Sequence, residues 1–201
     1  MEELFEDSIA SNSAEIEGAK ILIKGYLGSI NRPGMDKLLD YMEASGFYEA
    51  PCSGSYHLAE PGGLARHSLN VADTAVCIAK QIAPLISWES LIIVGLLHDL
   101  GKMGDYGKPF YIPNLLKNGN ISGSKPYVQN KELLGIDHEI KSIVIAERFI
   151  ELTPEEEHAI LYHNGLYTPL GRSLQGYETE LQQILHFADM WCSRFTEMGG
   201  F

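Results

Sequence analysis

The residues of this sequence with the most chemistry in them are His67, the adjacent pair His98-Asp99, His138, His163 and Asp189. Each lies within, or at the end of, a segment whose other residues are largely apolar. An ionised carboxylate beside an apolar stripe is costly unless it is paired or holds a cation. Imidazole and carboxylate together suit Zn, Fe, Mn, Co or Ni, and one carboxylate can bridge two ions. Several helices of a bundle can supply such a mixed site between them. Taken singly, every residue has a plainer explanation. A lone histidine is ordinarily a hydrogen-bonded core or surface group, and Asp189 could pair with Arg194 or Lys102. These explanations account for single residues and leave the set unexplained. His158, in the acidic turn EEEHA and five residues from His163, reads as an exposed residue off that face. His57 and His186 stay open as substrate-binding groups. His186 precedes Asp189 by three residues, so both can face one site, or it can simply hydrogen-bond near the core.

The elements that must position these groups read as helices. Residues 13–29 and 34–45 form two, the second stopped by Gly46. Residues 46–62 are a loop leading to Pro61-Gly62-Gly63. From Leu64 to about Gln81 the stripe Leu64, His67, Val71, Ala75, Ile78, Ile82 marks one helix face. Ser87 is placed to cap a helix from Trp88 to Leu100; its LIIVGLL run is apolar on all sides, as in a helix packed all round. His98-Asp99 end it and Gly101 closes it. Residues 105–130, with PFYI and KPYV flanking Asn118-Gly119, read as a small β-hairpin or ordered flap. It could bring Tyr111 or Tyr127 over a bound base.

A helix from His138 to about Ile150 puts His138, Ser142, Ile145 and Phe149 on one face. Thr153-Pro154-Glu155-Glu156 combines an N-cap, a proline at the first helical position and a capping-box Glu. That helix ends at His163-Asn164-Gly165. The last, about Glu178 to Thr196, turns Leu181, Leu185, Ala188, Cys192 and Phe195 inward, with Asp189 beside them. The expected class is therefore all-α, a helical bundle with a small hairpin, in one domain over 1–201: N-terminal helices over 1–50 and a core over 56–196.

Composition narrows the function. The chain has 201 residues, 45% hydrophobic and 21% charged, ordinary for a soluble globular protein. Its longest apolar run is too short to span a bilayer, and the acidic start lacks signal-peptide features. Cys52, Cys77 and Cys192 are scattered and odd in number, which argues against a disulfide framework or a Cys-based zinc knuckle. Cytoplasmic residence is the expectation, without a membrane partner. With 27 acidic against 15 basic residues, the net charge is −12. A long nucleic acid calls for a field of Lys and Arg, so a small anionic substrate fits better. Oligomeric state stays open, a homo-oligomer included.

The order His67 … His98-Asp99 … Asp189 resembles the H…HD…D signature of the HD superfamily of metal-dependent phosphohydrolases. The surrounding segments GGLARHSLNVA, GLLHDLGK, ERFIELTPEEEHAILYHNG and ILHFADMWCSR are similar to that family's helices, and the likeness runs from about Tyr56 to Arg194. It implies an HD-domain bundle in which His67, His98, Asp99 and Asp189 hold a first divalent metal. His138 and His163 fall where two-metal members place further ligands. One or two ions are implied, with Mn, Fe, Co, Ni, Zn and Mg undistinguished. Positions 163–164 read His-Asn where the HD-GYP phosphodiesterases and HD-type exoribonucleases carry His-His, and the GYP element is missing.

The implied activity is hydrolysis of a phosphomonoester or phosphodiester, a nucleotide or similar small phosphate, by a metal-activated water presented by Asp99. Lys102, one helical turn after His98, reads equally as a phosphate clamp and as a cation offsetting a helix C-terminus. Two other readings stand beside this one. The first is an HD-type 3′–5′ exoribonuclease. The second is a non-hydrolytic metal or nucleotide sensor, or a di-iron oxygenase.

Overall fold

The computed structural model describes residues 2–198, with side chains from residue 12 onward; Met1 and residues 199–201, the two ends of the expected 1–201 span, lie outside it. The described chain is a helical bundle with one small hairpin, as the patterning predicts. Helix α1 (Glu2–Gly28) begins well before the expected residue 13, and α2 (Met35–Ala44) stops at Gly46, whose φ is +75°. Helix α3 (Gly63–Ile82) carries His67, and α4 (Trp88–Leu97) is the apolar helix. Every residue of α4 from Leu91 to Leu97 is buried. With no polar face to offer water, α4 is driven into the centre, where it packs on α3 and also meets α1, α6 and α7. A β-carbon on Gly95 would stand 2.6 Å from the Ala72 Cα. The glycine therefore allows α3 and α4 the close approach that brings His67 to His98.

Helix α4 ends three residues earlier than expected. His98 is its C-cap, Asp99 leaves helical geometry, and a 3₁₀ turn covers Leu100–Met103. Gly101 does not stop the helix. A β-carbon there would lie 2.5 Å from the His138 carbonyl, so its bareness lets the Asp99 turn pack under the start of α5 (His138–Ala146). Ser142 Oγ accepts a hydrogen bond from the Gly101 amide and donates one to the His138 carbonyl, at 2.8 Å each. Helix α5 ends at Ala146 rather than near Ile150, leaving Phe149 half-buried.

The flap is a hairpin, β1 (Tyr111–Pro113) antiparallel to β2 (Tyr127–Gln129), with Ile112 opposite Val128 and its turn at Gly119. The Tyr127 amide donates to the Gly54 carbonyl at 3.1 Å, which ties the hairpin to the loop before α3.

Helix α6 (Pro154–Leu161) has the full capping box between Thr153 and Glu156. Ser87 occupies the N-cap of α4 but its side chain makes no capping bond. His158 is half-buried rather than exposed, and both ring nitrogens are shielded from solvent without a hydrogen-bond partner.

Helix α7 (Glu180–Trp191) starts from Thr179 and passes into a π turn at Cys192–Thr196. In that turn the Glu197 amide bonds back to the Cys192 carbonyl, five residues earlier. A wider turn delays the inward phase. Phe195, expected inward, is consequently 54% exposed, and Glu197 points in instead. Ile82, at the end of the expected α3 stripe, is 72% exposed, whereas Ala79 and Ala83 are buried.

Candidate metal centre

Five helices and one turn converge on Asp99. His67 comes from α3, His98 from the end of α4, His138 from the first residue of α5, His163 from just past α6, and Asp189 from α7. Their reactive atoms lie close together. His67 Nε2 is 3.2 Å from Asp189 Oδ1, 3.3 Å from His98 Nε2 and 3.6 Å from Asp99 Oδ2. His98 Nε2 is 3.5 Å from the same Asp99 oxygen. On the other carboxylate oxygen, Asp99 Oδ1 stands 3.1 Å from His138 Nε2 and 3.6 Å from His163 Nε2.

The opposite edges of these rings decide what the site is for. His98 Nδ1 meets the Gly95 carbonyl at 2.9 Å, and His163 Nδ1 meets the Ile160 carbonyl at 2.8 Å. A carbonyl only accepts, so Nδ1 carries the hydrogen and Nε2 keeps its lone pair. His67 Nδ1 bonds to Glu197 at 2.9 Å, and His138 Nδ1 lies 3.2 Å from Glu139 Oε2. All four imidazoles thus have Nδ1 against an outer acceptor and Nε2 turned toward Asp99. Metal-binding histidines are held in this way.

The inner atoms are also badly served without a cation. Asp99 Oδ1 and His138 Nε2 are buried and have no hydrogen-bond partner; although 3.1 Å apart, they are not aligned for one. Separations of 3.2–3.6 Å are those of neighbouring ligand atoms around an ion about 2.0–2.2 Å from each. The residues therefore fit a divalent metal at His67, His98, Asp99 and Asp189. They fit a second at Asp99, His138 and His163.

The electrostatics differ from group to group. Burial works against an ionised Asp99, but Lys102, His98 and His138 outweigh it and hold its carboxyl well below the usual range. Against the lowering effect of burial, the Cys52 sulfur and the Asp189 and Glu197 carboxylates raise His67 well above an ordinary imidazole. Burial pushes His163 down to about 3, so it stays neutral, and its Nε2 lone pair accepts from Asn164 Nδ2 at 2.9 Å.

Lys102 makes a contact beyond the two roles read from its position. Its Nζ sits 2.6 Å from Asp99 Oδ2 and its side chain is 14% exposed. His57 lies behind His67, its Nε2 3.3 Å from Cys52 Sγ and 3.8 Å from Glu197, and burial pushes it down to about 4. His186 has its Nδ1 2.7 Å from the His163 carbonyl and lines a small pocket together with Asp189 and Asn164. Glu197 escaped the sequence reading, because nothing in it marks the π turn that aims Glu197 at His67. Asn70, which donates to Glu197 at 2.9 Å, stands one turn after His67 and could have been suspected. Asn164 was noted only as a departure. Its amide bonds to Glu139 at 2.8 Å and lies 2.9 Å from His163 Nε2, linking the outer shell to the inner one.

A 370 Å³ cavity lined by Gly101, Asp105, Tyr106 and Lys141 lies behind the Asp99 turn and includes none of the six ligands. A smaller pocket, about 90 Å³, reaches one of them, Asp189, and is lined also by Asn164.

With this geometry in place, comparison with known families is decisive for membership. The family model described as HD domain matches residues 64–190, which span every one of the six candidate ligands. The chain belongs to the HD-domain family, whose members are generally metal-dependent phosphohydrolases. No curated protein and no solved structure matched the chain. Among the described residues, no helix is long and apolar enough to cross a membrane.

Proposed function

We propose that the protein hydrolyses a small phosphate ester, a nucleotide or a similar phosphorylated metabolite, at this centre. The observation that carries the reading is the arrangement of four imidazoles, each anchored through Nδ1 and turned through Nε2 onto one buried carboxylate. Divalent ions at such a site supply charge neutralisation for a phosphoryl group and a hydroxide nucleophile near neutral pH. The chain's own residues do the rest. Asp99 offers one oxygen to each half of the ligand set, so it fixes the spacing of the two halves. Glu197, Gly95 and Ile160 lock the imidazole tautomers. The Lys102 ammonium now neutralises Asp99 Oδ2. A cation taking that oxygen would leave Lys102 able to meet a substrate phosphate.

Approach is from one side. Asp189 and His138 have side chains 16% and 23% exposed, whereas His67, His98 and Asp99 are closed to solvent. Substrate therefore arrives between α5 and α7. The net charge of −12 favours a small anionic substrate over a long nucleic acid.

Metal analysis of the purified protein, followed by a phosphatase screen over nucleotides with the metal restored, tests the proposal. Release of phosphate by the wild type and its loss in His98→Ala are expected. Stoichiometric metal without turnover on any phosphate ester would sink it.

A further inference from the structure

The π turn after α7 does more than turn Glu197 inward. Five residues separate Asp189 from Arg194, and on a regular helix positions five apart point in different directions. The wider turn brings positions five apart toward one face. The result is that Arg194 lines the same 90 Å³ pocket as Asp189, together with Asn164, Tyr167, His186 and Ser193.

What distinguishes Arg194 is its place beside the candidate metal centre and its freedom, among the described residues, from any carboxylate partner. Arg32, Arg66 and Arg148 are each paired with carboxylates. No carboxylate among the described residues lies within ion-pair distance of Arg194, although Asp189 shares its pocket. Its guanidinium lies over the Tyr167 ring, 4.9 Å from the centroid, so the plane is held by a neutral aromatic face while its donors stay uncommitted. A planar fork of N–H donors is matched by a phosphate or carboxylate oxygen pair. Beside it is a metal-ligand carboxylate. The available room is far below the 300–1,000 Å³ or so of pockets that enclose whole ligands. It suits one terminal anionic group, with the remainder of the ligand outside.

We propose that Arg194, stacked on Tyr167, is the substrate-anion site of this protein, and that it takes the terminal phosphoryl group of a phosphomonoester. This deepens the proposed hydrolysis and rests on it for the word substrate. The anion site itself is measurable without turnover. A phosphoryl group seated between Arg194 and Asp189 would be reached by metal ligands on one side and the guanidinium on the other. An internal phosphodiester, flanked by chain on both sides, is poorly matched to so small a pocket.

The test is calorimetric titration of inorganic phosphate into the metal-loaded protein, wild type against Arg194→Ala, Arg194→Lys and Tyr167→Ala. Arg194→Ala is expected to weaken phosphate binding about 10- to 100-fold, the usual scale for a charged hydrogen bond. Arg194→Lys restores the charge but not the fork and should recover only part. Tyr167→Ala, which leaves the guanidinium unheld, should lose about threefold. In turnover, Arg194→Ala should raise KM for a nucleoside monophosphate and leave kcat within a few-fold. Arg194 is exposed, so metal content and Tm should stay at wild-type values. Phosphate affinity unchanged in Arg194→Ala at full metal content overturns the proposal, as does a metal-loaded wild type that binds no phosphate. A protein that binds phosphate through Arg194 but hydrolyses no ester would instead count against the proposed activity.

Discussion

Asp99 and Asp105 are both buried in one short stretch after α4, and they are solvated by the protein in opposite ways. Asp105 is fully served. Its Oδ1 accepts from Tyr41 Oη at 2.6 Å and Arg148 Nη1 at 2.8 Å, and its Oδ2 accepts from Arg148 Nη2 at 2.8 Å and Lys141 Nζ at 2.5 Å. Asp99 has Lys102 on one oxygen and no hydrogen-bond donor on the other, which instead faces two imidazole Nε2 atoms. A buried acid with every lone pair answered is a structural knot tying α2, α5 and the flap base together. One left unanswered among ligand atoms is a site for a cation. Burial and charge alone do not separate the two cases; the hydrogen-bond account does.

The contrast breaks if the two aspartates respond alike to the same substitution. Asp99→Asn should abolish the divalent-metal stoichiometry and lower phosphoester hydrolysis on the order of a thousandfold or more, since the shared ligand of both halves is lost. In the metal-free protein its Tm should move by less than half as much as Asp105→Asn moves it. Metal analysis, steady-state kinetics and calorimetry on the two variants decide this. An Asp99→Asn protein that retains both metal and turnover would end the distinction.

Asp105→Asn is the mirror experiment. Removing this charge leaves Arg148 and Lys141 without their buried partner, a loss of about 3–5 kcal/mol. For a chain of this length that lowers Tm by roughly 6–20 °C. Metal content per folded molecule should be unchanged, because none of the six ligands touches Asp105. A stable Asp105→Asn protein that has lost metal would invert the assignment of the two roles.

A smaller effect sharpens the account of the outer shell. Glu197→Gln keeps the shape at His67 Nδ1 but removes the carboxylate, and metal affinity should fall about 10- to 100-fold. Titration with a metal-buffered indicator reads this directly. Asn70→Ala should follow in the same direction and more weakly, since it touches Glu197 and not the imidazole.

Much of this was legible in the residues, and the failures are as instructive as the successes. The all-apolar run of α4, the His67 stripe and the Thr153–Glu156 capping box each express one local rule, and the helices stand where those rules put them. Gly101 was misjudged because a glycine after a helix serves equally as a stop or as room for a neighbour, and only the approach of α5 distinguishes them. The exposure of Phe195 and the inward turn of Glu197 have a single reason. The inward phase was carried at 3.6 residues per turn through a segment that winds more widely. Lys102 was given two roles from its spacing, and the structure adds a third, contact with Asp99, that depends on the turn between them. Spacing reports which face a residue shares; it does not report which atom it meets.

Acid makes the last comparison. In the folded protein burial opposes ionisation of Asp105, but Arg148, Lys141 and Tyr41 outweigh it and hold the carboxyl below its usual range. The unfolded chain takes up that proton at about pH 3.9. A carboxyl with a depressed folded pKa contributes stability that is present above the unfolded value and lost as pH falls through the folded one. The difference in Tm between the wild type and Asp105→Asn should therefore be level from about pH 7 to pH 5 and shrink as pH drops below about 4. Both proteins should be measured with chelator present, so that loss of metal in acid does not enter. Histidine titration is common to both proteins and cancels in the difference. A gap that stays constant down to pH 2.5 or so would mean the Asp105 charge contributes nothing through its ion pairs, and that the knot is held by Tyr41 and packing alone.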